Sequence, residues 1–207
     1  MGSALADPIF MRDDKLLCAP EEKSNLEIAN QATVIEYLAD FARSGKTRIT
    51  EGTLLEIHYL TIVGIYPCAG QYRDARFKIK ITGTRHAPCH PSEIRYKVQE
   101  LLDWLYSQKG SSSPTSTAAY ALWKLNNIHP FAGGNGRVAR SLAYLVMVTE
   151  VGPLFTGESL PAKLKKRKEE YLTGLQLADG GNHGPLKKLV LDLFLEQINE
   201  LLNELKR

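Results

Sequence analysis

The reading of this chain turns on His129-Pro130-Phe131-Ala132-Gly133-Gly134-Asn135-Gly136-Arg137-Val138-Ala139-Arg140. Gly133, Gly134 and Gly136 crowd together, and an apolar run suited to a helix follows them directly. Exposed N–H groups at a helix N-terminus, backed by the helix dipole, make an anion site. Glycines let the backbone come close to phosphate oxygens. Arg137 and Arg140 stand three apart, on one face of the first helical turn. Guanidinium groups placed there can grip further phosphate oxygens. His129 is the side chain of the stretch whose pKa suits general-base work near neutral pH. The spacing therefore puts a base beside an anion cradle. It suits transfer of a phosphorus group to an acceptor whose proton His129 removes. An ordinary glycine turn would not need His, Asn and two Arg at these positions.

Outward from the loop, the chain is mostly helical in pattern. A helix is expected from about Ala118 to Asn127 and another from about Gly136 to Val148. Leu26, Ala29, Val34, Tyr37, Leu38 and Phe41 give a helical face that Ser44-Gly45-Lys46 ends. Thr50 caps the next helix, with Leu54, Ile57, His58 and Thr61 or Ile62 on its apolar face. Ser92 and Glu93 open a helix carrying Ile94, Val98, Leu101, Leu102 and Leu105. Residues 107–117 read as a flexible loop and residues 163–178 as one helix. Pro185 starts a last helix. Arg76–Thr82 alternates apolar and basic residues, the clearest strand signal, with Gly83–His86 as its turn. The prolines of Ala87–Pro91 limit it to a short hairpin. His86 and His90 flank that turn. Residues 1–20 read as a loose extension.

Composition excludes several classes. The 207 residues suit a domain with a substantial core, and 43% apolar with 24% charged residues is an ordinary globular mix. A net charge of +3 is too balanced to argue for nucleic acid. No apolar run approaches the roughly 20 residues that cross a bilayer, so no membrane is expected. Cys18, Cys68 and Cys89 show no paired spacing, which speaks against a disulfide framework or zinc site and suits a reducing cytoplasm. His58 reads as a core histidine, Trp104 and Trp123 as core residues, and Lys163–Lys168 as a solvated helix face.

The loop resembles the signature of the Fic (filamentation induced by cAMP) family, His-x-Phe-x-acidic-Gly-Asn-Gly-Arg-x-x-Arg, at every fixed position but one. Ile57-His58, Ala69-Gly70-Gln71-Tyr72-Arg73, the strand with Gly83, Pro88, Pro91 and Ile128 resemble that family in order and approximate spacing. The likeness runs from about Glu21 to the C-terminus. It implies a mainly α fold, a Fic-type helical bundle with one short β-hairpin called the flap, as a single domain over residues 21–207. It implies a protein adenylyltransferase, which moves AMP from ATP to a Ser, Thr or Tyr hydroxyl of a target protein. By position, His129 would deprotonate that hydroxyl. Gly134, Asn135 and Gly136 would shape the anion hole, Arg137 and Arg140 would hold the β- and γ-phosphates, and Phe131 would anchor the loop. Tyr171 would stand near the base pocket. The flap residues Lys78, Ile79, Lys80, Ile81 and Thr82 would take a target segment by strand addition.

Gly133 is the departure. The family's Asp or Glu there coordinates Mg²⁺, and a glycine side chain offers the ion no oxygen. Three readings stay open: weakened catalysis with metal held through phosphates and water, a different phosphate-containing donor, or an inactive relative that regulates by binding nucleotide or protein. Reduced or altered catalysis ranks first, because His129 and both arginines remain. Leu122 stands where a histidine is common, and Tyr144 where a small or amide residue is common. Thr47-x-x-x-Glu51-Gly52 matches the family's inhibitory motif in letters but opens the helix of His58, so it reads as a helix start. Asn25–Asn30 resembles the stretch after the inhibitory helix. That places the helix before residue 1, and leaves the chain unrestrained, trimmed, or dependent on an antitoxin-like partner.

Overall fold

Helix α5 (Asn135–Val151) is the element around which the others pack, and its sequence explains why. Between Val138 and Val148 only Arg140 escapes burial. A helix apolar on every side has to be surrounded. The computed structural model describes residues 16–75, 79, 86–152 and 158–206. Among them the other helices are α1 (Lys23–Arg43), α2 (Glu51–Ile62), α3 (Ile94–Gln108), α4 (Pro114–Ile128), α6 (Leu160–Lys166), α7 (Lys168–Asp179) and α8 (Gly184–Leu205). Helices α1, α2, α4 and α6 pack on α5, while α3, α7 and α8 pack on α4. The core runs through Leu38, Leu54, Ile57, Leu101, Leu122, Leu125, Phe131, Leu142 and Val190. A smaller cluster of Ile62, Ile65, Tyr66, Cys68 and Ala132 lies under the glycine loop.

Local signals set most helix ends. Thr50 caps α2, its Oγ1 accepting from the Thr53 N–H at 3.2 Å, so Glu51 belongs to an ordinary helix start. Gly45 follows α1 with φ 68°, a turn that glycine takes without cost.

The structure corrects the sequence expectations in three places. Helix α4 begins at Pro114, inside the expected loop, because Ser113-Pro114 serves as N-cap and first helical residue. The single helix expected over 163–178 is two helices, broken at Arg167 (φ −91°, ψ 44°). The Arg167 guanidinium folds forward onto Glu170, with Nε–Oε1 at 2.8 Å and Nη2–Oε2 at 2.6 Å, across the start of α7. The basic run is not wholly a solvated face either. Lys163 is 7% exposed and reaches Glu200 on α8 at 2.5 Å.

The expected flap, including Lys78, Lys80, Ile81 and Thr82, lies outside the described residues. Ile79 is described and is not in a strand, and no β-strand occurs among the described residues. Of the expected extension, Leu16 and Cys18 pack on the smaller cluster, and the Leu17 N–H donates to Ile65 O at 3.0 Å. Cys18, Cys68 and Cys89 are free thiols. No helix among the described residues is long and apolar enough to cross a membrane.

Candidate active site

His129 closes helix α4 in the left-handed region, with φ 52° and ψ 59°. Among the described residues it is the one non-glycine with positive φ. Such a backbone persists only when its surroundings hold it. Arg73 does the holding. Its Nε donates to His129 O at 2.7 Å, its Nη2 to Cys89 O at 2.6 Å, and its backbone N–H to Pro130 O at 3.0 Å. Arg73 is buried, and burial lowers its pKa from the ordinary arginine value. On the same side, His86 Nε2 donates to Asn127 O at 2.7 Å, two residues before His129.

His129 is 4% exposed, and neither of its ring nitrogens meets a hydrogen-bond partner among the described residues. Burial, then the positive charge of Arg73, pushes its pKa down to about 4, while the Asn126 carbonyl acts the other way. At neutral pH it is therefore a neutral imidazole, able to accept a proton. A buried donor and acceptor left unpaired carry a cost that an incoming polar group would relieve.

The loop after His129 is locked from beneath. Phe131 is fully buried and stacks on His58, ring centroids 3.8 Å apart. His58 Nδ1 accepts the Gly70 N–H at 3.1 Å, so its Nε2 carries the proton and donates to Gly133 O at 3.2 Å. Burial lowers the His58 pKa to about 3, which keeps that tautomer neutral. Asn135 spans the loop, its Nδ2 donating to Phe131 O at 2.8 Å and its Oδ1 accepting the Phe131 N–H at 3.0 Å. Gly134 has φ 74°, and a Cβ there would lie 3.2 Å from Ile62 Cγ2. Both the backbone and the space require glycine at 134.

Gly134 is also the N-cap of α5 and supplies no side-chain cap. The first N–H groups bonded back to Gly134 O are those of Arg137 and Val138. The N–H groups of Asn135 and Gly136 come before them, at a helix end where an anion is favoured. Arg137 lies 3.4 Å from Glu27 of α1. Arg140 stands 5.9 Å over the ring of Tyr171, whose hydroxyl accepts from Asn126 Nδ2 at 2.9 Å. Tyr171 is 4% exposed, and Leu122 and Tyr144 are core residues. The structure thus gathers His129, Gly134, Asn135, Gly136, Arg137 and Arg140 on one loop and helix start, with Tyr171 beneath Arg140.

The donor set does not fit a Mg²⁺ ion held by this loop. Gly133 has no side chain, and its carbonyl accepts the His58 Nε2–H. Among the described residues no group of three His, Cys, Asp or Glu is placed to hold a metal.

Sequence reasoning missed three contributors. Arg73 sat within a recognised stretch but carried no sign of its three carbonyl partners. His58 is a core histidine, and its bond to Gly133 has no local signal. Glu27 reaches Arg137 across 110 positions of sequence, as their numbers show.

Comparison with known proteins agrees with this geometry. Residues 48–147 match the family described as Fic/DOC. A protein adenylyltransferase Fic of Drosophila persimilis is 32% identical over 149 residues, covering 71% of this chain and 27% of that protein. The chain thus spans about a quarter of the length of the curated relatives it matches. Fic-1 (residues 134–508) of C. elegans superposes with a TM-score of 0.69 at 22% identity, covering 89% of this chain and 53% of that one. The N-terminal Fic domain of a cell filamentation protein from Bartonella quintana, solved with bound ADP, gives 0.60 at 18% identity, covering 89% and 92%. These structural likenesses speak for the fold, and the matched segment holds the whole locked loop from Arg73 through His129 to Arg140. The chain belongs to the Fic/DOC family.

Proposed function

We propose that this chain is a protein adenylyltransferase, acting through one domain over residues 21–207 that residues 1–20 precede. The target's Ser, Thr or Tyr oxygen attacks the α-phosphorus of ATP. The bond from that phosphorus to the β-phosphate oxygen breaks, and pyrophosphate leaves. His129 takes the hydroxyl proton as the new bond forms. The N–H groups at the start of α5 face the phosphates, and Arg137 and Arg140 balance the charge that grows on the leaving group. Lys78, Ile79, Lys80, Ile81 and Thr82 hold the target segment by main-chain pairing. Tyr171 acts by supporting Arg140.

The carrying observation is His129 itself, a buried neutral imidazole with unpartnered nitrogens beside an uncapped helix start. Named relatives are adenylyltransferases, and a family member has been seen with ADP, which supports a nucleotide substrate. The test is incubation with ATP labelled at the α-phosphate and candidate protein mixtures. Label should appear on protein hydroxyls and vanish with His129→Ala. Label that persists in His129→Ala would refute the assignment.

Gly133 favours a second reading, in which the chain binds nucleotide without turnover and regulates through a partner, including an antitoxin-like one. Calorimetry with ATP separates the two. Binding that ignores Mg²⁺, with no transfer to any protein, supports the second reading.

A further inference from the structure

Asn126 lies in the last turn of α4, shortly before His129. Its side chain is held twice. Nδ2 donates to Leu122 O, one turn back on its own helix, at 2.7 Å, and to the Tyr171 hydroxyl on α7 at 2.9 Å. A carbonyl only accepts, so the bond to Leu122 fixes which amide atom is the nitrogen. With one hydrogen spent on α4, the other is aimed at α7. Asn126 is thereby a donor set in direction before any ligand arrives.

The hydroxyl it meets is buried. Burial raises the Tyr171 pKa, whereas the Arg140 charge and the bonds from Asn126 and Arg140 act the other way. Tyr171 is therefore a neutral phenol at neutral pH, and its oxygen accepts from both groups. Arg140 stands 5.9 Å over the Tyr171 ring, and a Cβ at Gly136 would lie 3.4 Å from Arg140 Nη1. The guanidinium is thus held beside the uncapped start of α5. An arginine already in place loses less freedom when it meets a phosphate. The line from Leu122 through Asn126 and Tyr171 to Arg140 joins α4, α7 and α5 and ends on the phosphate cradle.

We propose that Asn126 is a positioning residue for nucleotide phosphates: through the Tyr171 hydroxyl it presets Arg140 at the start of α5. The role rests on the reading that Arg140 meets the phosphates beyond the first. Calorimetry of the intact chain with ATP and with AMP tests it. Asn126→Leu, close in size and without the donor, should weaken ATP binding by about threefold to tenfold, the range of a lost hydrogen bond. Tyr171→Phe keeps the ring, removes the acceptor and should do the same. The double variant should lose no more than the larger single loss, because both changes act on one line. AMP lacks the phosphates that Arg140 meets, so its affinity should be the same for every variant as for the unsubstituted chain. If leucine disturbs the helix turn, seen as a fall in helical circular dichroism, Asn126→Ala removes the same donor without new bulk. Losses that add in the double variant, or an ATP affinity unchanged by removal of the donor, overturn the proposal. So does an equal loss for AMP, which would make Asn126 a structural residue of the site. An unsubstituted chain that binds neither nucleotide overturns the phosphate reading itself. The measurement reads binding alone, so it decides the role of Asn126 whether or not transfer to a protein is seen.

Discussion

Arg73 Nε donates to the carbonyl of His129 at 2.7 Å, and the residue it holds is the one left-handed non-glycine among those described. A planar fork reaches His129 O and Cys89 O together. Lysine keeps the charge but has no fork. Arg73→Lys should cost about 2–4 kcal/mol, because buried carbonyls lose their donor. Urea unfolding reads this directly, and a change below about 0.5 kcal/mol would show that the fork is not what holds the turn.

Both buried loop histidines shape the response to acid. Each has a folded pKa below its unfolded value near 6.5: about 4 for His129 and about 3 for His58. In that window the unfolded chain binds more protons than the folded one, so stability is full above about 6.5 and falls as pH drops toward 4 and below. His58→Gln should flatten the fall, because a neutral amide does not titrate. A fall of unchanged steepness in both His58→Gln and His129→Ala would assign acid sensitivity to other groups.

The part of this protein that sequence made legible is local. The loop from His129 to Arg140 could be read because a base, glycines and arginines sit within one turn of each other. Helices α3 and α8 could be read because their apolar residues recur at three and four. The break at Arg167 could not, because Lys163–Lys168 is nearly all charge and carries no period to interrupt. Arg73, His58 and Glu27 could not, because their partners are brought in by tertiary packing.

Lys163 makes this concrete. A basic run suggests a solvated face, yet the Lys163 side chain is 8% exposed and pairs with Glu200 and, at 3.9 Å, Glu196. Removing one partner of a buried pair strands the other. Lys163→Met should destabilise by about 1–3 kcal/mol, while Lys165→Met, an exposed position, should stay within about 0.5 kcal/mol. Thermal or urea unfolding of the pair decides it, and equal effects at both positions would return the run to a solvated face.

Glu27 bears on nucleotide affinity. Its carboxylate lies 3.4 Å from Arg137, with both side chains partly buried. The sequence left the chain unrestrained, trimmed or dependent on an antitoxin-like partner; in the structure a phosphate seeking Arg137 meets a carboxylate already in place. Glu27→Gln should tighten ATP binding by about 1.5-fold to fivefold, the range for a partly exposed ion pair. Calorimetry checks it, and weaker binding would mean that Glu27 orients Arg137 for the ligand.

Gly133 gives the sharpest sign. Its backbone lies outside the left-handed region, so unlike at Gly134 the φ angle does not demand glycine. The His58 bond is to its carbonyl, which a side chain leaves in place. Gly133→Asp adds a negative charge beside the phosphate cradle. Without Mg²⁺ that charge repels the nucleotide, by about 1 kcal/mol for unit charges near 4 Å in water, so ATP binding should weaken by about fivefold. With Mg²⁺ the same carboxylate supplies the oxygen the loop lacks, and binding and transfer should both rise above the unsubstituted chain. A variant that weakens ATP binding equally with and without the metal would show that the missing acid is not what limits this loop.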